Sequence, residues 1–355
     1  MLRDLAGRPK VMATVNREMI RSALLELGSA TKAELSKYCG ISSPTVGKVL
    51  ETLRKNEEII ELGYDDSSGG RRAMRYSINA EKILGLTLFL EQKETIYSVY
   101  KCTGETLISG RLDGEFLKSL DSIEMIVSGL LKEHPNIASI SIGVPGAVKN
   151  GEIFFIPDYD AFKGVNLKKY FEERFNLPVV IENDMNAAVI GYHEVLKQTS
   201  LKIEEPLDSK AKLHDISITY LYLGNNGPGT GILINGEVVR GSTCFAGEVS
   251  FIPIYDKENF FQRTRQNGVT KLDIDAVSRL ITAFVTIINP QYIVLCKKDI
   301  DQSDLLEIIE NCSKYFPMEH MPDLRIRENW KEDYTLGLKT LGLKSMFSGI
   351  KIIRD

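Results

Sequence analysis

The 355-residue sequence has no cysteine pair spaced as CxxC, no internal repeat and no low-complexity run. It also has no apolar stretch near the length of about 18 residues that a membrane helix needs. Each absence closes off a class. The five cysteines, Cys39, Cys102, Cys244, Cys296 and Cys312, are odd in number and widely spaced, so neither a zinc ribbon nor a disulfide framework is indicated. Reduced thiols in the cytoplasm are the simplest expectation, with no membrane partner. Residues 1–21 scatter charges among their apolar side chains and lack a signal-peptide core. No charge of one sign dominates: 44 Lys and Arg stand against 48 Asp and Glu. With 43% hydrophobic and 26% charged residues, the composition is an ordinary soluble balance, and the length allows two or three cores.

What charge there is divides unevenly. Residues 1–80 hold 13 Lys and Arg against 10 Asp and Glu, a net +3; the remainder holds 31 against 38, a net −7. A mildly basic head on an acidic body suits a DNA-binding module joined to something else.

The head reads as three short helices and a hairpin. Ile20, Ala23, Leu24 and Leu27 follow helical spacing and stop at Gly28. Thr31-Lys32-Ala33-Glu34 has the form of a capping box, in which Thr31 and Glu34 satisfy each other's free backbone N–H groups. Gly40 supplies a left-handed corner, and Ser43-Pro44 opens the next helix with Ser43 as N-cap. That helix buries Val46, Val49, Leu50 and Leu53 and turns Ser43, Thr45 and Lys48 outward. This is a helix-turn-helix, and those three residues are the candidates for base and phosphate contacts. Next come a strand at Ile59-Ile60-Glu61-Leu62 and a polar loop over 64–70. A second strand has Met74, Tyr76 and Ile78 alternating. Arg71 and Arg72, beside Gly69 and Gly70 on this wing, are candidates for the DNA backbone or minor groove.

Beyond Ala80 strands and helices alternate, which predicts an α/β domain. Strands are expected at 83–90, 138–144, 178–182, 216–223 and 291–296. Helices are expected at 115–133, 167–175, 184–197, 273–288, 303–314 and 333–347, and residues 199–215 read as a polar loop. Asn235-Gly236 has the residues of a type I′ turn. Four constellations stand at strand ends or glycine loops, where α/β folds hold ligands. They are Gly143-Val144-Pro145-Gly146, Glu182-Asn183-Asp184, the glycines Gly227, Gly229 and Gly231, and Ala246-Gly247-Glu248. Asp184 alone also suits a helix cap.

Taken in order, these segments resemble the ROK family of repressors, open reading frames and sugar kinases. The head from Thr31 to Arg72 resembles the winged helix-turn-helix of its xylose-repressor-like members. SIGVPGAV with VVIENDMNAAV resembles its sugar-binding core, and GPGTGILINGEVVRGSTCFAGEVSF its glycine loop and glutamate motif. INPQYIVL and LGLKTLGLKSM resemble its closing strand and helix. The resemblance implies a winged head over 1–80 and a two-lobed, actin-like (ribonuclease H-like) ATPase fold over 81–355. Its lobes would span about 81–190, with the C-terminal helix, and about 191–330.

The departures from the family are as telling. Where its kinases carry a DxGGT phosphate turn, this chain has Gly85-Leu86-Thr87-Leu88-Phe89-Leu90-Glu91; a phosphate loop needs close backbone approach, which bulky residues deny. The second phosphate loop reads Asn225-Asn226-Gly227-Pro228-Gly229-Thr230-Gly231. Phe251 stands where the family has a zinc-binding histidine, and residues 252–272 contain neither cysteine nor histidine, so no metal is expected. Asp184 matches the kinases' catalytic base, which is idle without a bound γ-phosphate.

The resemblance therefore implies a non-enzymatic, sequence-specific DNA-binding regulator, a repressor of carbohydrate genes. It would bind a sugar through Asn183, Asp184 and Glu248 and use neither cofactor nor catalytic residue. A homodimer or tetramer would read a near-palindromic double-stranded operator. Two alternatives stay open: a ROK domain that serves only as a dimerisation scaffold or takes a non-sugar ligand, and an active ATP-dependent sugar kinase.

Overall fold

The computed structural model describes residues 9–65, 72–91, 93–114, 119–155, 162, 164–202, 215–224, 227–266, 273–296 and 300–347. The head comprises α1 (Pro9–Leu27), β1 (Ala30–Thr31), α2 (Lys32–Cys39), α3 (Ser43–Lys55), β2 (Ile59–Tyr64) and β3 (Met74–Ile78). Its strands form an antiparallel sheet in the order β1-β3-β2, with Ala30 opposite Tyr76 and Ile59 opposite Ile78. The apolar faces of all three helices converge: Ile20, Leu24, Leu35, Val46, Leu50 and Leu53 are fully or almost fully buried. This is the architecture of a winged helix-turn-helix. The sequence pattern identified the three helices and the hairpin. It missed β1, because two residues are too few to show a period.

The body begins with β4 (Leu84–Leu90), β5 (Glu94–Lys101), β6 (Thr106–Asp113), α4 (Leu120–Glu133) and β7 (Ile137–Val144). A small hairpin layer, β8 (Ala147–Lys149), β9 (Glu152–Phe155) and β10 (Val165–Asn166), precedes α5 (Leu167–Phe175), β11 (Val179–Asn183) and α6 (Asp184–Lys202). The expected loop over 199–215 is thus shortened at its start, where 199–202 continue α6, and 203–214 lie outside the described residues. The second lobe runs β12 (Ile218–Gly224), β13 (Gly227–Ile234), β14 (Glu237–Val238), β15 (Pro253–Tyr255), β16 (Glu258–Asn259), α7 (Phe260–Gln266), α8 (Ile274–Ile287), β17 (Tyr292–Cys296), α9 (Gln302–Cys312), β18 (Asp323–Ile326) and α10 (Trp330–Phe347).

The two sheets repeat one plan. Lobe one has the order β11-β7-β4-β5-β6 and lobe two the order β14-β13-β12-β17-β18. In each, three strands form an antiparallel meander and two more add in parallel beside its first strand. The β13–β14 turn holds Asn235 and Gly236 at φ 50° and 77°, as a type I′ turn requires. Strand β4 shows why the lobes are layered. Leu84, Leu86, Leu88 and Leu90 join the core under α4 and α5, while Phe89, on the opposite face, joins a second core with α6, α10 and β12.

Helices α6 and α10 pack against each other between the lobes. A Cβ on Gly191 would lie 1.7 Å from the Asp333 carbonyl oxygen, and one on Gly337 would lie 1.8 Å from that of Ala187. Glycine is required at both positions because the two backbones touch. Buried Asp333 accepts hydrogen bonds from Tyr220 (2.9 Å) and Arg327 (2.9 Å), closing this crossing. From there α10 runs over the lobe-one sheet, where Ser139 donates to the Gly342 carbonyl (3.2 Å). Its far end reaches the head: Leu343 and Met346, with Ile83, pack against the head's core, and Cys102 of β5–β6 is buried in it.

Candidate functional site

The head's corner is fixed as its residues predict. The Thr31 amide donates to Glu34 (2.7 Å) and the Glu34 amide to Thr31 Oγ1 (3.3 Å). Gly40 takes φ 66°, and Ser36 Oγ donates to the Ile41 carbonyl (2.6 Å). One assignment changes. The N-cap of α3 is Ser42, not Ser43, because the Val46 amide donates to the Ser42 carbonyl (3.0 Å) and Ser43 is already helical. Ser42 makes no side-chain cap; its hydroxyl pairs with Thr45 Oγ1 at 2.9 Å. Ser43 and Lys48 are exposed and Thr45 is half-buried. Thr45, Lys48 and Thr52 line a groove whose other wall is α1, through Met12, Asn16 and Arg17. Helical spacing within α3 could not show that α1 would stand beside it.

Arg72 is exposed, two residues before β3; Arg71 lies outside the described residues. The arginine that the sequence pattern did not single out, Arg75, anchors the wing. It donates to Asp65 (2.7 and 3.0 Å), to Glu34 (3.1 Å) and to the Ser29 carbonyl (3.1 Å). Those bonds hold the Asp65 carboxyl below the usual carboxylate range. They also tie the hairpin to the start of α2.

In the body, β7 and β11 end side by side, with Gly143 opposite Glu182 and Val144 opposite Asn183. Asn183 Nδ2 donates to the Gly146 carbonyl (3.0 Å), and its Oδ1 accepts from the amides of Met185 (2.9 Å) and Asn186 (3.0 Å). The Asn183 side chain is therefore largely spent on capping α6 and holding the glycine–proline turn. Asp184 accepts from the Met185 amide (2.8 Å) through one oxygen. It is partly exposed to solvent, and desolvation by the surrounding protein pushes its carboxyl up to about 7; the charges of Glu248 and Glu91 push the same way. Glu248 is half-buried and raised by burial as well. Its turn is set by Gly247 at φ 93°, where a Cβ would stand 2.1 Å from the Thr230 carbonyl oxygen. Two carboxyls that burial biases toward the protonated form are able both to donate to and to accept from a polyhydroxylated ligand.

Three sets of contacts escaped sequence reasoning, though Glu182 itself stood in one of the four constellations. Glu182 is buried and bonds Asn186 Nδ2 (3.0 Å) and Arg240, which joins the end of β11 to the segment after β14. Lys331 reaches both Glu91 (3.6 Å) and Glu94 (2.5 Å). Above all, four aromatic side chains gather where the lobes meet. Phe89 lies 4.0 Å from Tyr334 and 5.4 Å from Trp330, and Trp330 lies 4.8 Å from Tyr222, between ring centroids. Phe89 was legible as a bulky residue in a glycine's place; its partners come from β12 and α10, far away in the chain. Among the described residues no group of three histidine, cysteine or carboxylate side chains could hold a metal ion, and no helix is long and apolar enough to cross a membrane.

Comparison with known proteins adds the family. Residues 114–270 match the model of the ROK family. The xylose repressor of Bacillus spizizenii is 28% identical over 261 residues, covering 68% of this chain and 60% of that protein. The chain thus spans about three fifths of the length of the curated relatives it matches first. A beta-glucoside kinase of Listeria monocytogenes is 33% identical over 134 residues, 37% of this chain and 40% of that one. Among solved structures, a ROK family transcriptional regulator, a homologue of the E. coli MLC protein, superposes with a TM-score of 0.68. It is 17% identical, and the match covers 95% of this chain and 98% of that one. With two lobes of one plan and this match over residues 114–270, the chain carries a ROK family domain.

Proposed function

We propose that the protein is a sugar-responsive DNA-binding repressor of carbohydrate genes. Its head reads double-stranded DNA through Ser43, Thr45, Lys48, Arg71 and Arg72, and its ROK domain binds a sugar through Asn183, Asp184 and Glu248. The observation that carries this reading is the course of α10. Its first turn brings Trp330 and Tyr334 to the lobe junction, and its last turns put Leu343 and Met346 against the head's core. Eighteen helical residues span about 27 Å, so one rigid element reaches from the lobe junction to the core of the head. Relatives named xylose repressor, similar over about two thirds of this chain, support the same assignment.

The aromatic cluster supports a domain without kinase chemistry. A phosphate cradle needs exposed N–H groups and no side chain in the way. Here Phe89 stands within strand β4 at the corresponding place in the chain and is 2% exposed, packed against Trp330 and Tyr334. A homodimer would present two α3 helices about one DNA turn apart, to a near-palindromic operator.

The test is an operator selection followed by binding with and without D-xylose as the first probe. A change of about fivefold or more in DNA affinity is expected. ATP with Mg²⁺ should neither bind nor be turned over in the presence of sugar; turnover abolished by Asp184→Ala would establish a kinase instead. The same aromatic cluster also favours a second reading, in which the ROK domain is only a dimerisation scaffold or takes a non-sugar ligand. DNA binding indifferent to every sugar, with an intact dimer, would select it.

A further inference from the structure

Helix α1 is longer than the head's core requires. Its contribution to that core starts at Ile20, and no described residue before Ile20 joins it. About three turns of helix, from Pro9 onward, therefore lie beyond the packed part of the head. Their direction is nonetheless fixed. Arg21 pairs with Glu18 (2.7 Å) and with Glu58, just before β2, so a relay of charges ties the middle of α1 to the base of the wing.

The extra turns stand beside one edge of the exposed face of α3. An open groove of about 510 Å³ separates the two helices, lined by Met12, Asn16 and Arg17 on one wall and by Thr45, Lys48 and Thr52 on the other. Two cations line it and no carboxylate does. The threonine hydroxyls are engaged near their own helix, Thr45 with Ser42 (2.9 Å) and Thr52 with the Lys48 carbonyl (2.9 Å). Asn16, Arg17 and Lys48 supply the groove's donors. Arg17 is lightly held: Glu18 stands 3.5 Å from its Nε and gives its closer contact to Arg21. A half-exposed pair at that distance is a weak restraint on a guanidinium.

A positive groove flanking a recognition helix suits a chain of anions. When such a helix enters the major groove, side chains projecting from it reach base edges, and groups beside it meet the sugar–phosphate strand that borders the groove. We propose that the DNA interface extends onto α1, where Arg17 holds a backbone phosphate with Asn16 as a neighbouring donor. The proposal rests on the DNA-binding reading of the head. It gives the two helices different work: α3 sets the sequence preference, and α1 fixes the position of the head on the duplex.

The experiment is fluorescence anisotropy with the full-length protein over a range of salt concentrations. Two duplexes serve as probes, the one recovered by operator selection and one of mixed sequence. Arg17→Ala should weaken binding to both by about tenfold, keep the ratio between them, and lower the salt slope by about one. Arg17→Lys keeps the charge and should keep the parent's slope. Asn16→Asp, which puts a carboxylate into the groove, should weaken both duplexes as well. An Arg17→Ala protein with the parent's affinity and slope would overturn the contact while leaving the head a DNA-binding module. A loss of affinity at unaltered slope would also overturn it, and would assign Arg17 to holding α1 in place. A parent protein that binds neither duplex would remove the DNA-binding reading, and the contact with it.

Discussion

The β4–β5 hairpin of lobe one and the β12–β13 hairpin of lobe two hold equivalent places in their sheets, yet only the second has kept its glycines. The first has only Gly85, at the start of β4 against Tyr100, whereas the second has Gly224, Gly227, Gly229 and Gly231. Read as motifs, the first hairpin has lost a phosphate loop and the second has half retained one. The structure gives the retained glycines another cause. A Cβ on Gly231 would stand 2.1 Å from the Met185 carbonyl oxygen, one on Gly229 3.0 Å from Met185 Cγ, and Gly227 takes φ 103°. The second hairpin lies against α6, and glycine is what permits that approach. In lobe one the corresponding space is filled from the other side, by Phe89 against Trp330 and Tyr334. Helix packing can thus require a glycine pattern whether or not phosphate chemistry uses it.

The comparison breaks most sharply at Gly231. Gly231→Ala forces two backbones apart and should cost about 4 kcal/mol or more in chemical denaturation. A near-neutral result would return these glycines to ligand binding. Phe89→Ala in lobe one should cost about 3 kcal/mol, through the cavity left in the aromatic cluster. It should confer no affinity for ATP with Mg²⁺, since the run from Leu86 to Glu91 still lacks the glycines of a phosphate turn; nucleotide binding in that variant would mean that Phe89 alone closes the site.

Asp184 lies beside both hairpins and gives a smaller effect with a definite sign. Its carboxyl ionises near 3.8 when unfolded and at about 7 when folded, so the folded protein holds the extra proton between those values. Stability attributable to this group falls as pH rises from about 4 to about 7 and stays low above it. Asp184→Asn should therefore raise the melting temperature at pH 8 and leave it unchanged at pH 4. A variant melting like the parent at pH 8 would show that Asp184 is ionised without penalty. Smallest of all, Arg72→Ala in the exposed wing should leave the melting temperature unmoved. It should lower the salt dependence of DNA binding by about one counterion. An unaltered salt slope would take Arg72 off the DNA face.

Legibility followed the distance over which each feature is decided. The capping box at Thr31 and Glu34, the left-handed Gly40 and the Asn235-Gly236 turn were readable because each depends on three or four adjacent residues. Ser42 as the true cap of α3 was missed by one position, since either serine can supply the carbonyl and only the completed helix chooses. Asn183 was legible as a polar residue at a strand end. Its commitment to Gly146, Met185 and Asn186 was not, because Gly146 lies on another strand's turn. The aromatic cluster unites Phe89, Tyr222, Trp330 and Tyr334, whose sequence separations carry no period that would announce it.

By itself the sequence determined the local grammar of this protein: alternating leucines on β4, helical stripes in the head, caps, turns and the order of motifs that marks the ROK family. Side-chain periodicity and backbone φ preferences act over a few residues, and such information is written in the chain directly. Only the tertiary structure decided that α10 crosses α6 through Gly191 and Gly337, that it ends against the head's core, and that Asn183 is spent on Gly146 and the start of α6. These are encounters between segments tens to hundreds of residues apart. They are fixed by which surfaces bury each other, and a chain read in order does not display them.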